Sequence, residues 1–277
     1  MTSAVKGVGR REVRRISSGA LQNPTEDEVV LEEPLEIRAA GETLAVTMRT
    51  PGHDRELAVG FLFAEGVIAS RDDISRVAHC GRPDQEGFGN TIDVAPAAGA
   101  EFDVDRVSLT RRGTLTTAAC GVCGRRSVQD VIDRCTRLAD GPVLEASSVA
   151  AAMDRLRSFQ PNFSRTGGIH AAAVLDVRLQ PLAAFEDIGR HNALDKVVGS
   201  LVLTGTIPGA EPALLLVSGR ASFEVVQKAS AARIPIVASV SAASSLAIDL
   251  ARATGITLCG FVRNGAMTVY SHPSRLH

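Results

Sequence analysis

Alternating apolar and polar positions mark the first regular element of the chain. Leu35 and Ile37 alternate with Glu36 and Arg38, Ala40-Gly41-Glu42 makes a turn, and Leu44, Val46 and Met48 alternate on the return, which predicts a hairpin over 34–49. From Asp54 to Glu65 the spacing becomes helical, with Leu57, Gly60, Phe61 and Ala64 on one face and Gly66 as the stop. A looser stretch rich in Gly, Pro and Ala runs from Pro83 to Ala100, and a helix is predicted to begin at Ser127, where Ser127 and Asp130 fit a capping box. The second half is more regular. Val149, Met153 and Leu156 predict a helix that ends before Pro161, and Ile169–Leu175 and Leu182–Phe185 read as strands. Leu194, Val197, Val198, Leu201 and Val202 recur at i, i+3, i+4, i+7 and i+8, the pattern of an amphipathic helix. Strand 213–217, helix 222–232, strand 234–240, helix 244–253 and strand 256–262 follow with short links. This alternation argues for parallel crossovers on one sheet, so the expected class is α/β. Three regions result: a disordered basic tail over 1–27, a mixed β/α part over 28–110 and an α/β core over 111–277.

Composition narrows the function classes. At about 150 residues per domain, a chain of 277 residues makes two domains or one large one. Thirty Lys and Arg against 31 Asp and Glu leave a net charge of -1, and aromatic residues are only 4%, with no Trp. Neither the electrostatic footprint nor the stacking platforms of a nucleic-acid binder are present. No apolar run approaches the roughly 20 residues of a membrane span; the longest candidate, Leu57 to Ala69, is interrupted by Glu65. Residues 1–20 carry Lys6, Arg10, Arg11, Arg14 and Arg15 against Glu12, but no apolar segment follows the arginine pair, so a cytoplasmic protein is expected. Five cysteines at 80, 120, 123, 135 and 259 do not suggest a disulfide framework, and Cys80, Cys135 and Cys259 are expected as core residues.

Cys120-Gly121-Val122-Cys123-Gly124 is the most informative segment. Its glycines leave the backbone open to a close partner, and Arg111, Arg112, Arg125 and Arg126 bracket it. Neighbouring positive charge favours the thiolate, the nucleophilic form. On spacing alone, half a zinc site, a redox pair and a nucleophilic sulfur stand level. A zinc deaminase is excluded, because Ala119 replaces the required Pro and none of the six His is followed by x-Glu. Arg190, His191 and Asn192 open the amphipathic helix and suit a phosphate or heterocycle, although a helix start with a hydrogen-bonded core histidine is the simpler account of them. Ser218-Gly219-Arg220, Ser241–Ser245 and Phe261-Val262-Arg263-Asn264-Gly265 lie at three successive strand ends, where open α/β sheets bind ligands. Glu224 and Lys228 read as a surface i,i+4 pair.

Six motifs resemble one family. They are R-T-P-G-H-D-x-E-L-A-x-G-F-L-F-x-E-G at 49–66, C-G-x-C-G at 120–124, T-G-G-x-H-A-A-A at 166–173, G-R-H-N-A-L-D-K at 189–196, S-G-R-x-S-x-E-x-x-x-K at 218–228 and G-F-V-R at 260–263. Together the order resembles the formate dehydrogenase accessory sulfurtransferases, the FdhD family, from about residue 30 onward. Ala243 and Asn264 depart from the Pro and Gly common there. The resemblance implies a cytidine deaminase-like three-layer sandwich, a homodimer, and sulfur transfer from a cysteine desulfurase to the molybdenum cofactor, in its bis(molybdopterin guanine dinucleotide) form, before that cofactor enters the formate dehydrogenase catalytic subunit. It also implies Cys120 and Cys123 as catalytic residues. Contacts to the cofactor as bound substrate fall to Arg190, His191, Asn192, Ser218, Gly219, Arg220, Phe261, Val262, Arg263, Asn264, Gly265 and Ala266, with no permanently bound metal. A non-catalytic cofactor carrier and a zinc-binding protein are the alternatives.

Overall fold

The computed structural model describes residues 7–82, 84, 88–104, 135, 137–139, 141–207 and 212–277. The first strand, β1 (Val8–Val13), pairs antiparallel with β4 (Thr25–Val30), and β2 (Ile16–Ser17) and β3 (Ala20–Leu21) form a small hairpin between them. The expected disordered tail is therefore corrected for residues 7–27, which form a β-ribbon. The basic run faces an acidic one across the ribbon, with Arg10 3.3 Å from Glu26 and Arg15 2.9 Å from Asp27. Such exposed pairs stabilise little, so the backbone ladder carries the ribbon and the charges select its register.

The predicted hairpin is present as β5 (Glu33–Ala39) and β6 (Glu42–Arg49). Ala40 and Gly41 both have positive φ, the type I′ geometry that matches strand twist. Helix α1 (Asp54–Ala64) follows. Gly66 ends it as expected, at φ 74°, where its N–H donates to the Phe63 carbonyl and that of Val67 to Leu62. Two further strands in this region are not predicted by the sequence pattern. β7 (Ile74–His79) and β8 (Thr91–Pro96) complete a four-stranded sheet in the order β6-β5-β8-β7. The Gly- and Pro-rich flanks concealed the short Thr91-Ile92-Asp93-Val94 alternation, in which Ile92 and Val94 are fully buried.

After α2 (Ala146–Arg155) and a 3-10 turn the chain does break before Pro161, and Pro161 then opens a short helix, α3 (Pro161–Thr166), that periodicity did not indicate. The remaining elements are β9 (His170–Leu175), β10 (Pro181–Asp187), α4 (Arg190–Leu203), β11 (Leu214–Val217), α5 (Phe223–Ala231), β12 (Ile236–Ser239), α6 (Ser245–Thr254), β13 (Thr257–Arg263) and β14 (Ala266–Ser271). Six strands form one sheet in the order β10-β9-β11-β12-β13-β14. β11, β12 and β13 are parallel, as the strand–helix alternation predicts, and β9, β10 and β14 are added antiparallel. Asn264-Gly265 forms the type I′ turn between β13 and β14, a hairpin signal overlooked in the sequence.

Both faces of the six-stranded sheet are apolar. Ala172, Val174, Leu215 and Val237 point into one core that runs through α4 and α1 to Leu35, Ile37 and Ile92 of the smaller sheet. Ala171, Ala173, Leu214, Leu216 and Ile236 point the other way, onto Val149 and Met153 of α2 and Leu156 of the 3-10 turn after it. Cys259 belongs to this second core, as expected for a structural thiol, and burial pushes its pKa up to about 12. Helix α4 is buried on every side over residues 191–199, so its amphipathic reading is corrected: α1 covers the side that would otherwise face water. The two helices touch through glycines. A Cβ on Gly60 would collide with the Asp195 carbonyl, and one on Gly199 with the Glu56 carbonyl. Among the described residues no helix is long and apolar enough to cross a membrane.

Overpacking at such a backbone contact costs about 3 kcal/mol. Gly199→Ala should therefore lower the midpoint of chemical denaturation sharply, and an unchanged midpoint would show that the helices separate freely.

Candidate functional site

Cys120, Cys123 and the helix expected at Ser127 lie outside the described residues. The described part of the site is the edge formed by the carboxyl ends of β11, β12 and β13, with the start of β9, the end of β10 and the start of α4 beside it. The parallel register aligns Ser218, just past β11, with Val240, just past β12, and with Phe261 inside β13. Hydrogen bonds lock these turns together. Ser218 Oγ accepts from the Ala171 N–H at 2.8 Å, and Ser239 Oγ donates to the Gly219 carbonyl at 2.6 Å while accepting from the Ser241 N–H. The Phe261 N–H donates to the Ser241 carbonyl.

Gly219 faces His170 and Arg190 in this edge. A Cβ there would lie 3.4 Å from His170 Nδ1 and 3.6 Å from Arg190 Cδ. Arg190 is partly buried, and its Nε is a buried donor with no hydrogen-bond partner, which suits an incoming acceptor oxygen. Burial lowers the pKa of His170, and the neighbouring Arg190 lowers it further. His170 was assigned no definite role from sequence. The T-G-G-x-H motif was its only signal.

The side chains of the next two candidates meet protein partners. Asn192 is buried, its Oδ1 accepts from Thr47, and its Nδ2 donates to the Met48 carbonyl and to Asp187. Asp187 is fully buried, 2.6 Å from Lys196 Nζ, and also accepts from the backbone of Thr50 and Gly189. The start of α4 is thereby fastened to the end of β6. His191 lies beneath the edge, with Nε2 3.1 Å from Ser222 Oγ and Nδ1 2.9 Å from Glu224.

Glu224 and Lys228 are corrected as well. Lys228 is buried and sits 2.6 Å from Asp195 and 3.6 Å from Glu224. Burial lifts the Asp195 carboxyl to about 6 against the pull of Lys228. Burial also opposes the charge on Lys228, but Asp195 and Glu224 outweigh it and hold the ammonium above its ordinary range. The pair was misread because i,i+4 spacing says nothing about which face another helix covers.

Arg220, Phe261, Arg263, Asn264, Gly265 and Ala266 are exposed along the same edge. Phe261 has φ 53°, and the ladder to β14 is irregular between Gly260 and Arg263, a bulge that turns the Phe261 ring outward. Val262 points the opposite way, fully buried against α2, so it cannot offer its side chain to a ligand. R-T-P-G-H-D also proves structural: Arg49 is buried in a two-pronged pair with Asp54 at 3.0 and 3.2 Å.

Residues 30–277 match the FdhD/NarQ family. The chain belongs to that family. It is 53% identical over 274 residues to the sulfur carrier protein FdhD of Anaeromyxobacter dehalogenans strain 2CP-1, covering 97% of this chain and 93% of that protein. It is 48% identical over 276 residues to the sulfur carrier protein FdhD of Mycobacterium tuberculosis, covering 96% and 97%. The crystal structure of a protein described as a formate dehydrogenase accessory protein, from Desulfotalea psychrophila, shares the fold at a TM-score of 0.76. That match has 23% identity and covers 98% and 99% of the two chains. In this family member the basic and small residues of the later motifs converge on one sheet edge.

Removing one partner of a buried ion pair costs roughly 3–5 kcal/mol. Lys196→Met should destabilise the protein by that amount in denaturant titrations, and adding Asp187→Asn should recover part of it. Additive losses would mean that the two groups do not act as a pair.

Proposed function

We propose that this protein is a sulfur carrier that serves formate dehydrogenase, taking sulfur from a cysteine desulfurase and passing it to the bis(molybdopterin guanine dinucleotide) form of the molybdenum cofactor. The observation that carries this reading is near full-length similarity to relatives named sulfur carrier protein FdhD, in a chain that has C-G-V-C-G at 120–124. The protein acts in the cytoplasm as a homodimer, with the catalytic subunit of formate dehydrogenase as the recipient of the loaded cofactor.

The first step is thiol–disulfide-type exchange. The Cys120 thiolate attacks the terminal sulfur of the donor's persulfide, a new S–S bond forms at Cys120, the donor's S–S bond breaks, and the donor cysteine leaves as its thiolate. The terminal sulfur now belongs to a Cys120 persulfide, with no net oxidation. Cys123 relays, resolves or protects that sulfur. Arg190, Arg220 and Arg263 suit the phosphates of the cofactor substrate, because guanidinium groups pair with phosphate oxygens in two-pronged fashion. The bare backbone of Gly219, the unpartnered Nε of Arg190 and the turn at Asn264-Gly265 support a ligand seated along the strand ends.

Incubation with a cysteine desulfurase and free cysteine should add one reductant-labile sulfur to the peptide that contains Cys120 and Cys123, read by mass spectrometry. Cys120→Ala should abolish that gain and leave cofactor affinity intact. Arg263→Ala should weaken cofactor binding about tenfold, the loss of one charge-assisted contact, without altering persulfide formation. No added sulfur in metal-free, cofactor-binding protein would favour a pure carrier; no added sulfur together with tightly held zinc would favour a zinc protein.

A further inference from the structure

The contact between Ser222 and His191 is not explained by sulfur carriage. Ser222 stands at the N-cap of α5, where a serine hydroxyl normally accepts from a first-turn N–H. It does not do so here. Ser244, in the corresponding place before α6, does, accepting from the Ala247 N–H at 3.3 Å. The Ser222 hydroxyl instead meets His191 Nε2 at 3.1 Å, and the opposite nitrogen of that ring meets Glu224 Oε2 at 2.9 Å. A carboxylate only accepts, so Nδ1 carries the hydrogen and Nε2 is left as the acceptor for the serine hydroxyl.

We propose that Ser222, His191 and Glu224 form an acyl-transfer site, with Ser222 Oγ as nucleophile, His191 Nε2 as its base and Glu224 as the residue that orients the ring, taking small ester or thioester substrates at the strand-end edge. Nucleophile, base and orienting carboxylate stand within hydrogen-bonding reach in that order, the arrangement by which such sites are recognised whatever the fold. The support is rigid. His191 is buried on α4, and Glu224 is held beside Lys228, which is itself clamped to Asp195. Ser222 is only partly buried, and it follows the exposed Arg220 on the turn that leaves β11. Ser222 makes no side-chain cap bond to α5, which leaves the N–H groups of its first turn available to an oxyanion.

The reaction balances without an oxidant or reductant. Ser222 Oγ bonds to the carbonyl carbon while its proton passes to Nε2. The bond to the leaving alkoxide or thiolate breaks and that group takes the proton. Water then cleaves the acyl-serine by the same route, giving the carboxylic acid and restoring Ser222.

The full-length protein treated with an alkyl fluorophosphonate tests the site. The probe forms a phosphorus–oxygen bond to an activated serine and releases fluoride. An adduct on the peptide Ala221–Lys228 is expected, formed at least tenfold more slowly in Glu224→Gln and absent in Ser222→Ala, which deletes one hydroxyl and leaves the core intact. p-Nitrophenyl acetate should give a burst of nitrophenol that Ser222→Ala removes. No adduct after prolonged exposure to excess probe would overturn the proposal, as would equal rates in wild type, Glu224→Gln and heat-unfolded protein. Persulfide loading of Cys120 is read on the same samples, so loss of the serine adduct with loading retained overturns the acyl-transfer site alone and leaves sulfur carriage standing.

Discussion

The buried carboxylate of Asp187 is the constraint around which the site is built. A charge with no exposure is tolerated only when it is fully satisfied, and Asp187 receives Lys196, the Asn192 amide and two backbone N–H groups. Those partners come from the segment after β6, distant in sequence, and from the turn after β10 and the first turns of α4, which follow Asp187 directly. Satisfying one charge therefore fixes how the small sheet, the large sheet and the central helix meet. The position of Arg190 and His191 follows from it, since both lie between Asp187 and Lys196 on the chain.

The second determinant is close backbone packing. Gly60 and Gly199 let α1 and α4 approach until neither position has room for a methyl group. This brings the four-stranded sheet near enough to share one core with the larger sheet, and it buries the polar residues of α4 that a looser crossing would leave wet. Asp195 and Lys228 are buried together for this reason. Their pairing holds Glu224 beside His191, so a packing contact far from the edge governs a polar arrangement at it.

Much of the architecture was legible because it depends on local periodicity. The hairpin at 34–49, the glycine stop at Gly66 and the strand–helix alternation after residue 213 require only neighbours within a few residues. The elements that were missed are those whose partners are remote or whose flanks are irregular. The N-terminal ribbon needs Thr25–Val30 to be recognised as the partner of Val8–Val13, and β8 is short and bordered by glycine and proline. The Asn-Gly turn before β14 was a local signal, but it was read as part of a ligand loop.

The candidate site divides in the same way. The sequence by itself determined the family, through six ordered motifs, and the presence of paired cysteines and strand-end arginines, since residue identity and order are linear properties. Only the tertiary structure decided which motif residues face outward. Arg220, Phe261 and Arg263 lie on the edge, whereas Asn192, Val262 and Lys228 are turned inward. Adjacent residues on a strand point to opposite faces, and a helical residue is exposed or buried according to what packs against it. Neither the second core beneath Val262 nor the helix covering α4 is encoded near the residues they bury.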